Sequence, residues 1–156
     1  MNIFVTSADT VECAQALDDL RLNKMIIETA QILSTAMRFH GSTTPVYKST
    51  HANHPCAIWA RETEENYRWL LVYLKELCIE RQKRTGKGHK TYAELYSYLV
   101  NGATLIPHGS LTPWPNCSRY KNSSDVHAAY KQTLRDKWAN DKRPPKWTNS
   151  QKPYWA

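Results

Sequence analysis

The side chains best suited to catalysis recur along the first long helical segment. Arg21, Lys24 and Glu28 are spaced so that they share one narrow arc of a helix. A carboxylate flanked by cations can act as an acid or base while its charge is stabilised, and the cations attract phosphate. The same spacing is typical of a solvated helix face with an ion pair between Lys24 and Glu28. The residues alone leave both interpretations open.

A second cluster lies in the loop that precedes Pro55. Lys48, Thr50, His51 and His54 can hold phosphate, and a histidine at a helix start can cap the helix or bind an anion. The two histidines are three positions apart and are followed by a cysteine, but no acidic ligand is near and the spacing is not a zinc pattern. We therefore predict no metal site and no cofactor.

Helices must position these residues. Apolar side chains recur with helical spacing, whereas period-two alternation is confined to residues 3–5. A helix over all of residues 10–40 would be unusually long, so we expect a break near Asp18 and Asp19. Ser124 or Asp125 is expected to cap the last helix. The sequence predicts an all-α fold of about four main helices with long loops. The four predicted helical segments span residues 10–40, 55–85, 90–100 and 124–138, and residues 41–54 form a loop.

The bulk composition is typical of one cytoplasmic domain. A chain of 156 residues has the usual size of a single domain, so we assign residues 1–156 to one domain and expect a monomer. No apolar run approaches the ~20 residues that span a bilayer. The N-terminus lacks the pattern of a signal peptide. We predict a cytoplasmic protein without a membrane partner, whose four cysteines are free thiols.

Positive charge is concentrated towards the C-terminus. The net charge is +7, and from Arg119 onwards nine Lys and Arg face three Asp. Cations alternate there with Trp and Tyr rings, which either stack on exposed bases or pack onto the protein body. We expect an ordered basic, aromatic tail. A further basic run at residues 81–90 suits phosphate or a solvated helix end. The residues that we assign to nucleic-acid or phosphate contact are Arg21, Lys48, Thr50, His51, His54, Arg84, Lys87, Arg143, Lys146, Trp147, Tyr154 and Trp155.

The order of several short motifs resembles the pyrimidine-dimer DNA glycosylase family, to which phage endonuclease V belongs. Asp19-Leu20-Arg21-Leu22 is followed by Glu28, seven residues after the arginine. A histidine-containing loop then leads into a long amphipathic helix, and the chain ends in a basic tail with Arg143-Pro144 and Tyr154-Trp155-Ala156. The resemblance implies a compact helical protein that kinks duplex DNA and flips out a base.

The resemblance also implies roles for individual residues. In the family, the N-terminal α-amine attacks the deoxyribose C1′ to form an imine, and a helix glutamate stabilises the cationic sugar. Glu28 corresponds to that glutamate, Met1 would supply the amine, and Arg21 would contact DNA. Family members usually expose a small residue after removal of Met, whereas Met1-Asn2 is expected to keep it. The Met1 amine could still attack, Lys24 could replace it, or the imine chemistry could be lost.

The leading hypothesis is a DNA glycosylase that flips out and removes a damaged or modified pyrimidine from double-stranded DNA. AP-lyase activity would accompany base removal if an imine forms. Two alternatives remain open. A non-catalytic phage DNA-binding protein requires only the charge and the rings. An enzyme or binder for modified DNA bases or small phosphorylated nucleotides would use the loop residues Lys48, Thr50, His51 and His54 to hold phosphate.

Overall fold

A computed structural model describes residues 2–156, and all regular structure within them is helical. Six α-helices and one short 3-10 helix form, with no strand in the described residues, so the predicted all-α class is confirmed. Among these residues, no helix combines the length and apolar character that a bilayer crossing requires. The elements are α1 (Thr10–Ala16), α2 (Asp19–Phe39), α3 (Pro55–Glu62), α4 (Glu64–Thr85), α5 (Lys90–Asn101), the 3-10 helix (Gly102–Leu105) and α6 (Val126–Asn140).

The predicted break in the first helical segment is confirmed, and it lies at Leu17 and Asp18. Both residues have extended backbone conformations. The Asp18 carboxylate is buried, and it accepts hydrogen bonds from the Trp138 indole at 2.8 Å and from Arg21 at 3.2 Å. The break between α1 and α2 is therefore attached to α6.

The predicted continuous helix over residues 55–85 is wrong, because two helices meet at Thr63. Thr63 is extended, and its hydroxyl caps α4 by accepting the Asn66 N–H at 3.1 Å. The buried Asn66 amide donates to the Trp59 carbonyl at 2.9 Å and to the Thr112 hydroxyl at 2.8 Å. These bonds satisfy polar groups at the break, so long-range contacts override the apolar pattern that runs across it.

Helix α2 packs against α3, α4 and α5, and α4 also packs against α1. One side of α2 supplies large core residues, including Leu22, Met25 and Leu33. Glu28 lies between the buried and exposed sides and is only half-buried. The helix core thus fixes the position of Glu28 along and around α2.

The two later helices agree with the predicted ones. Helix α5 covers the predicted segment, and Asp125 caps α6 by accepting the Ala128 N–H at 3.1 Å. The tail after α6 contains no helix but is attached to the body. The Trp147 indole donates to the Ala16 carbonyl at 3.0 Å, and Trp155 stacks on Trp138 with ring centroids 5.6 Å apart. The predicted ordered tail is confirmed.

Candidate active site and nucleic-acid surface

Glu28 has an unusual environment for a helix carboxylate. Within residues 2–156 its side chain has neither an ion-pair partner nor a hydrogen-bond partner, although it is half-buried. Lys24 is exposed one turn earlier, and the described residues show no ion pair between the two. Glu28 therefore does not form the ion pair with Lys24 that is typical of a solvated helix face.

Two buried side chains lie close enough to Glu28 to respond to its charge. The pKa of the Cys56 thiol is raised, first by its hydrogen bond with Cys117 and by burial, and to a smaller extent by Glu28. Burial raises the pKa of Tyr73 well above its ordinary value, and the charge of Glu28 adds a smaller effect. The Tyr73 hydroxyl has no hydrogen-bond partner among the described residues. Glu28 therefore lies near the start of α3 and the middle of α4.

The start of α3 brings together residues that are distant in sequence. His54 caps this helix, and its Nδ1 accepts the Cys56 N–H at 3.1 Å. The Sγ atoms of Cys56 and Cys117 are 3.4 Å apart, although 61 positions separate the two residues. A hydrogen bond from the Cys56 thiol lowers the pKa of Cys117, since it stabilises the thiolate. Sequence reasoning missed this thiol pair because no local spacing connects its members.

A groove of about 380 Å³ opens beside Cys117. Asn2 lines one part of it. Met1, the predicted source of the amine nucleophile, lies outside the described residues. Arg119 pairs with Asp136 at 3.1 Å, whereas Lys137 is an exposed cation on the groove wall. The full lining comprises Asn2, Cys117, Ser118, Arg119, Thr133, Asp136, Lys137 and Asn140.

The loop with the predicted phosphate-binding residues is attached to α2. The Thr50 N–H donates to the Thr35 hydroxyl at 3.1 Å, and the same hydroxyl donates to the Thr50 carbonyl at 3.2 Å. Thr35 follows Glu28 by two helical turns and therefore lies on the same side of α2. The Thr50 hydroxyl and His51 Nδ1 are 2.8 Å apart, and Lys48 and His51 are exposed. The structure thus places this loop along the Glu28 side of α2.

A comparison with protein-family models matches residues 1–94 to the model described as pyrimidine dimer DNA glycosylase. The matched segment contains Glu28, the 41–54 loop and the complete helices α1 to α4. The chain belongs to the pyrimidine-dimer DNA glycosylase family. Searches of curated proteins and of solved structures gave no match. The family suggested by the sequence motifs is confirmed.

Two arginines that we assigned to DNA contact form hydrogen bonds and ion pairs within the protein. Arg21 contacts Asp18 and Asp141, and Arg84 is buried. The Arg84 guanidinium donates to the Leu17 carbonyl at 2.7 Å, to Glu80 at 3.0 Å and to Asp19 at 3.1 Å. These partners give both side chains structural contacts around the α1–α2 break. Lys87, in contrast, is exposed after the end of α4.

The tail lies beyond the segment that matches the glycosylase family model. Its predicted nucleic-acid rings have different environments, because Trp147 and Trp155 are half-buried against the core whereas Tyr154 is 95% exposed. Arg143 and Lys146 are exposed in the same tail. Among the tail residues that we assigned to DNA, Tyr154 and these two cations present the most accessible surface.

Proposed function

We propose that this protein is a DNA glycosylase that removes a damaged or modified pyrimidine from double-stranded DNA, with Glu28 as the central catalytic residue. The half-buried Glu28 carboxylate carries the proposal, since it has no partner in residues 2–156 and lies within the family-matched segment. A carboxylate in this state is available to stabilise positive charge that develops on a sugar.

The proposed reaction begins when an amine attacks C1′ and the glycosidic bond breaks. The base leaves with the bonding electrons and takes up a proton, while the amine loses protons and the sugar ring opens to give an imine. Loss of a C2′ proton can then expel the 3′ phosphate and cleave the strand. We propose the Met1 amine as the nucleophile, with Lys24 as the alternative, and Glu28 as the group that moves protons.

Base extrusion would give these groups access to C1′. The groove beside Asn2 and Cys117 has a volume of about 380 Å³, which falls within the range of roughly 300–1,000 Å³ for small-molecule sites. This size supports the proposal that the groove receives a flipped nucleotide. Exposed Lys24, Lys48 and His51 are proposed to contact phosphates along the Glu28 side of α2.

The test measures base release from duplexes that carry a cyclobutane pyrimidine dimer or a modified pyrimidine. We expect wild-type protein to release the base and Glu28→Gln to be slower by about 10²–10⁴-fold, with duplex binding retained. Glu94→Gln is the matched control, because Glu94 is exposed on α5, and it should act like wild type.

Borohydride trapping during the same reaction reports on the imine. A covalent protein–DNA adduct is expected with wild type. Full base release by Glu28→Gln would contradict the role of Glu28. Salt-dependent duplex binding without base release from any substrate would instead favour the non-catalytic DNA-binding hypothesis. Binding of nucleotides but not of duplex would favour the small-nucleotide hypothesis.

A further inference from the structure

Three side chains with transition-metal ligand chemistry meet where α3 begins. One ligand atom from each of His54, Cys56 and Cys117 lies within 4.8 Å of the other two. The two sulfur atoms are 3.4 Å apart. Two thiolates bound to a tetrahedral zinc ion at ~2.3 Å lie about 3.8 Å from each other. An increase of a few tenths of an ångström in the distance between the two sulfurs would therefore accommodate the ion.

Both cysteines are held in place from different parts of the fold. Cys56 is fully buried in the first turn of α3. The Cys117 N–H donates to the Tyr130 hydroxyl at 3.1 Å, and that hydroxyl donates to the Pro115 carbonyl at 2.6 Å. Tyr130 is itself fully buried in α6. The protein thus orders both thiols without a metal, which reduces the entropic cost of binding one.

The third ligand is His54, whose Nδ1 accepts the Cys56 N–H at 3.1 Å. An ion bound at this nitrogen would replace one helix-capping hydrogen bond. The loss of such a bond opposes binding, but its cost is small beside the free energy of zinc coordination.

We propose that His54, Cys56 and Cys117 bind a zinc ion at the edge of the groove that Asn2 and Cys117 line. Thiolate and imidazole ligands select zinc over magnesium or calcium. Within residues 2–156, no fourth His, Cys, Asp or Glu joins the cluster. Three protein ligands with one open position are typical of zinc sites that bind water or a substrate group. The ion would therefore tie the Cys117 loop to α3 and keep one coordination position for water or a substrate group.

The proposal is tested on the full chain, reduced with a phosphine, loaded with zinc and freed of excess metal by gel filtration. We expect one zinc ion per chain by elemental analysis. Cobalt substituted for zinc should give the thiolate-to-cobalt charge-transfer band and the visible bands of a tetrahedral site. Zinc content does not depend on base release, so a failure here is distinguishable from a failure of the proposed glycosylase activity.

Two variants should lose the bound zinc while they remain folded by circular dichroism. Cys117→Ser removes a sulfur at a half-buried position. His54→Asn removes the imidazole but keeps a residue that caps helices well. Cys78→Ser is the matched control, because it removes a buried thiol outside the cluster and should retain zinc.

Three results of the zinc and cobalt measurements would each overturn the proposal. They are wild-type protein with no more zinc than Cys117→Ser, a cobalt spectrum without thiolate bands, and equal zinc loss in Cys78→Ser. A Cys56–Cys117 disulfide that forms on purification, combined with no zinc uptake after reduction, would also overturn it and would identify the thiols as a redox pair.

Discussion

Arg21 on α2 forms a bidentate ion pair with Asp141, the residue that follows α6, with N–O distances of 2.8 and 2.9 Å. The same guanidinium contacts Asp18 at 3.2 Å. Only 13% of the Arg21 side chain and 3% of the Asp18 side chain are exposed. One cation thus neutralises two carboxylates and connects the α1–α2 break to the end of α6. This geometry favours a structural contribution from a residue that the family resemblance places in contact with DNA.

Loss of the Arg21 guanidinium should destabilise the fold. Arg21→Ala leaves the buried Asp18 carboxylate without its cation, so we expect the free energy of unfolding to fall by about 2–3 kcal/mol. Arg21→Lys should have an intermediate effect, because an ammonium group cannot make the bidentate pair. Urea denaturation at neutral pH measures both. Lys24→Ala, at an exposed position on the same helix, should change stability by less than about 0.5 kcal/mol. Equal stability of Arg21→Ala and wild type would contradict this assignment.

The Arg21–Asp141 pair should also make stability depend on pH. The hydrogen bond from Arg21 lowers the pKa of Asp141 below its ordinary value. A carboxyl group with a lowered folded-state pKa stabilises the protein above the unfolded-state value, roughly 3.9, and loses that contribution as pH falls through the folded-state value. The stability difference between wild type and Asp141→Asn should therefore be constant above about pH 5 and shrink below about pH 4. Chemical denaturation across this range checks it, and a difference that does not shrink would contradict it.

Local patterns predicted those parts of the fold that local chemistry decides. The α1–α2 break follows from helix length and the adjacent acids Asp18 and Asp19, and Pro55 starts α3 behind the His54 cap as predicted. The α3–α4 break was missed because the apolar pattern runs across it, although Thr63 supplies a local helix cap. The break is completed by an Asn66 bond to Thr112, 46 positions away. Periodicity detects which side of a helix is apolar, but it carries no information about such partners.

The candidate site shows the same limit. Glu28 could be selected from its helix position and from the family motif. Its proximity to Cys56 depends on the packing of α2 against α3. The approach of Cys117 to His54 depends on how the loop before α6 crosses the start of α3. Arg21 and Arg84 could equally be predicted as phosphate ligands. A sequence does not reveal that carboxylates or carbonyls within the protein already accept the hydrogen bonds of a guanidinium.

The identity of the amine that we propose as the nucleophile can be decided by a pair of variants. At neutral pH an α-amine is generally a better nucleophile than an exposed lysine amine, because a larger fraction is uncharged. We therefore expect Lys24→Ala to retain the borohydride-trapped adduct. A short N-terminal extension before Met1, which displaces the α-amine, should abolish it. Peptide mapping of the trapped adduct identifies the modified residue. An adduct that survives the extension but disappears in Lys24→Ala would assign the attack to Lys24.

Variants of two adjacent tail rings, Trp155 and Tyr154, should distinguish packing onto the core from contact with DNA. Trp155 stacks on Trp138, and its carbonyl accepts a hydrogen bond from Arg135 at 2.8 Å. Trp155→Ala should therefore lower the free energy of unfolding by about 1–3 kcal/mol. Tyr154 is 95% exposed, so Tyr154→Ala should change stability by less than about 0.5 kcal/mol. Thermal or urea denaturation compares the two variants.

DNA titrations over a range of salt concentrations complete this comparison. If Tyr154 stacks on an exposed base, Tyr154→Ala should weaken binding by about 1–3 kcal/mol. The slope of log affinity against log salt should stay unchanged, since no charge is removed. Lys146→Ala removes an exposed cation of the same tail, so it should reduce the magnitude of that slope by about 1. Wild-type affinity in both variants would mean that the exposed part of the tail does not contact DNA. The alternation of cations and rings would then reflect the docking of Trp147 and Trp155 onto the core.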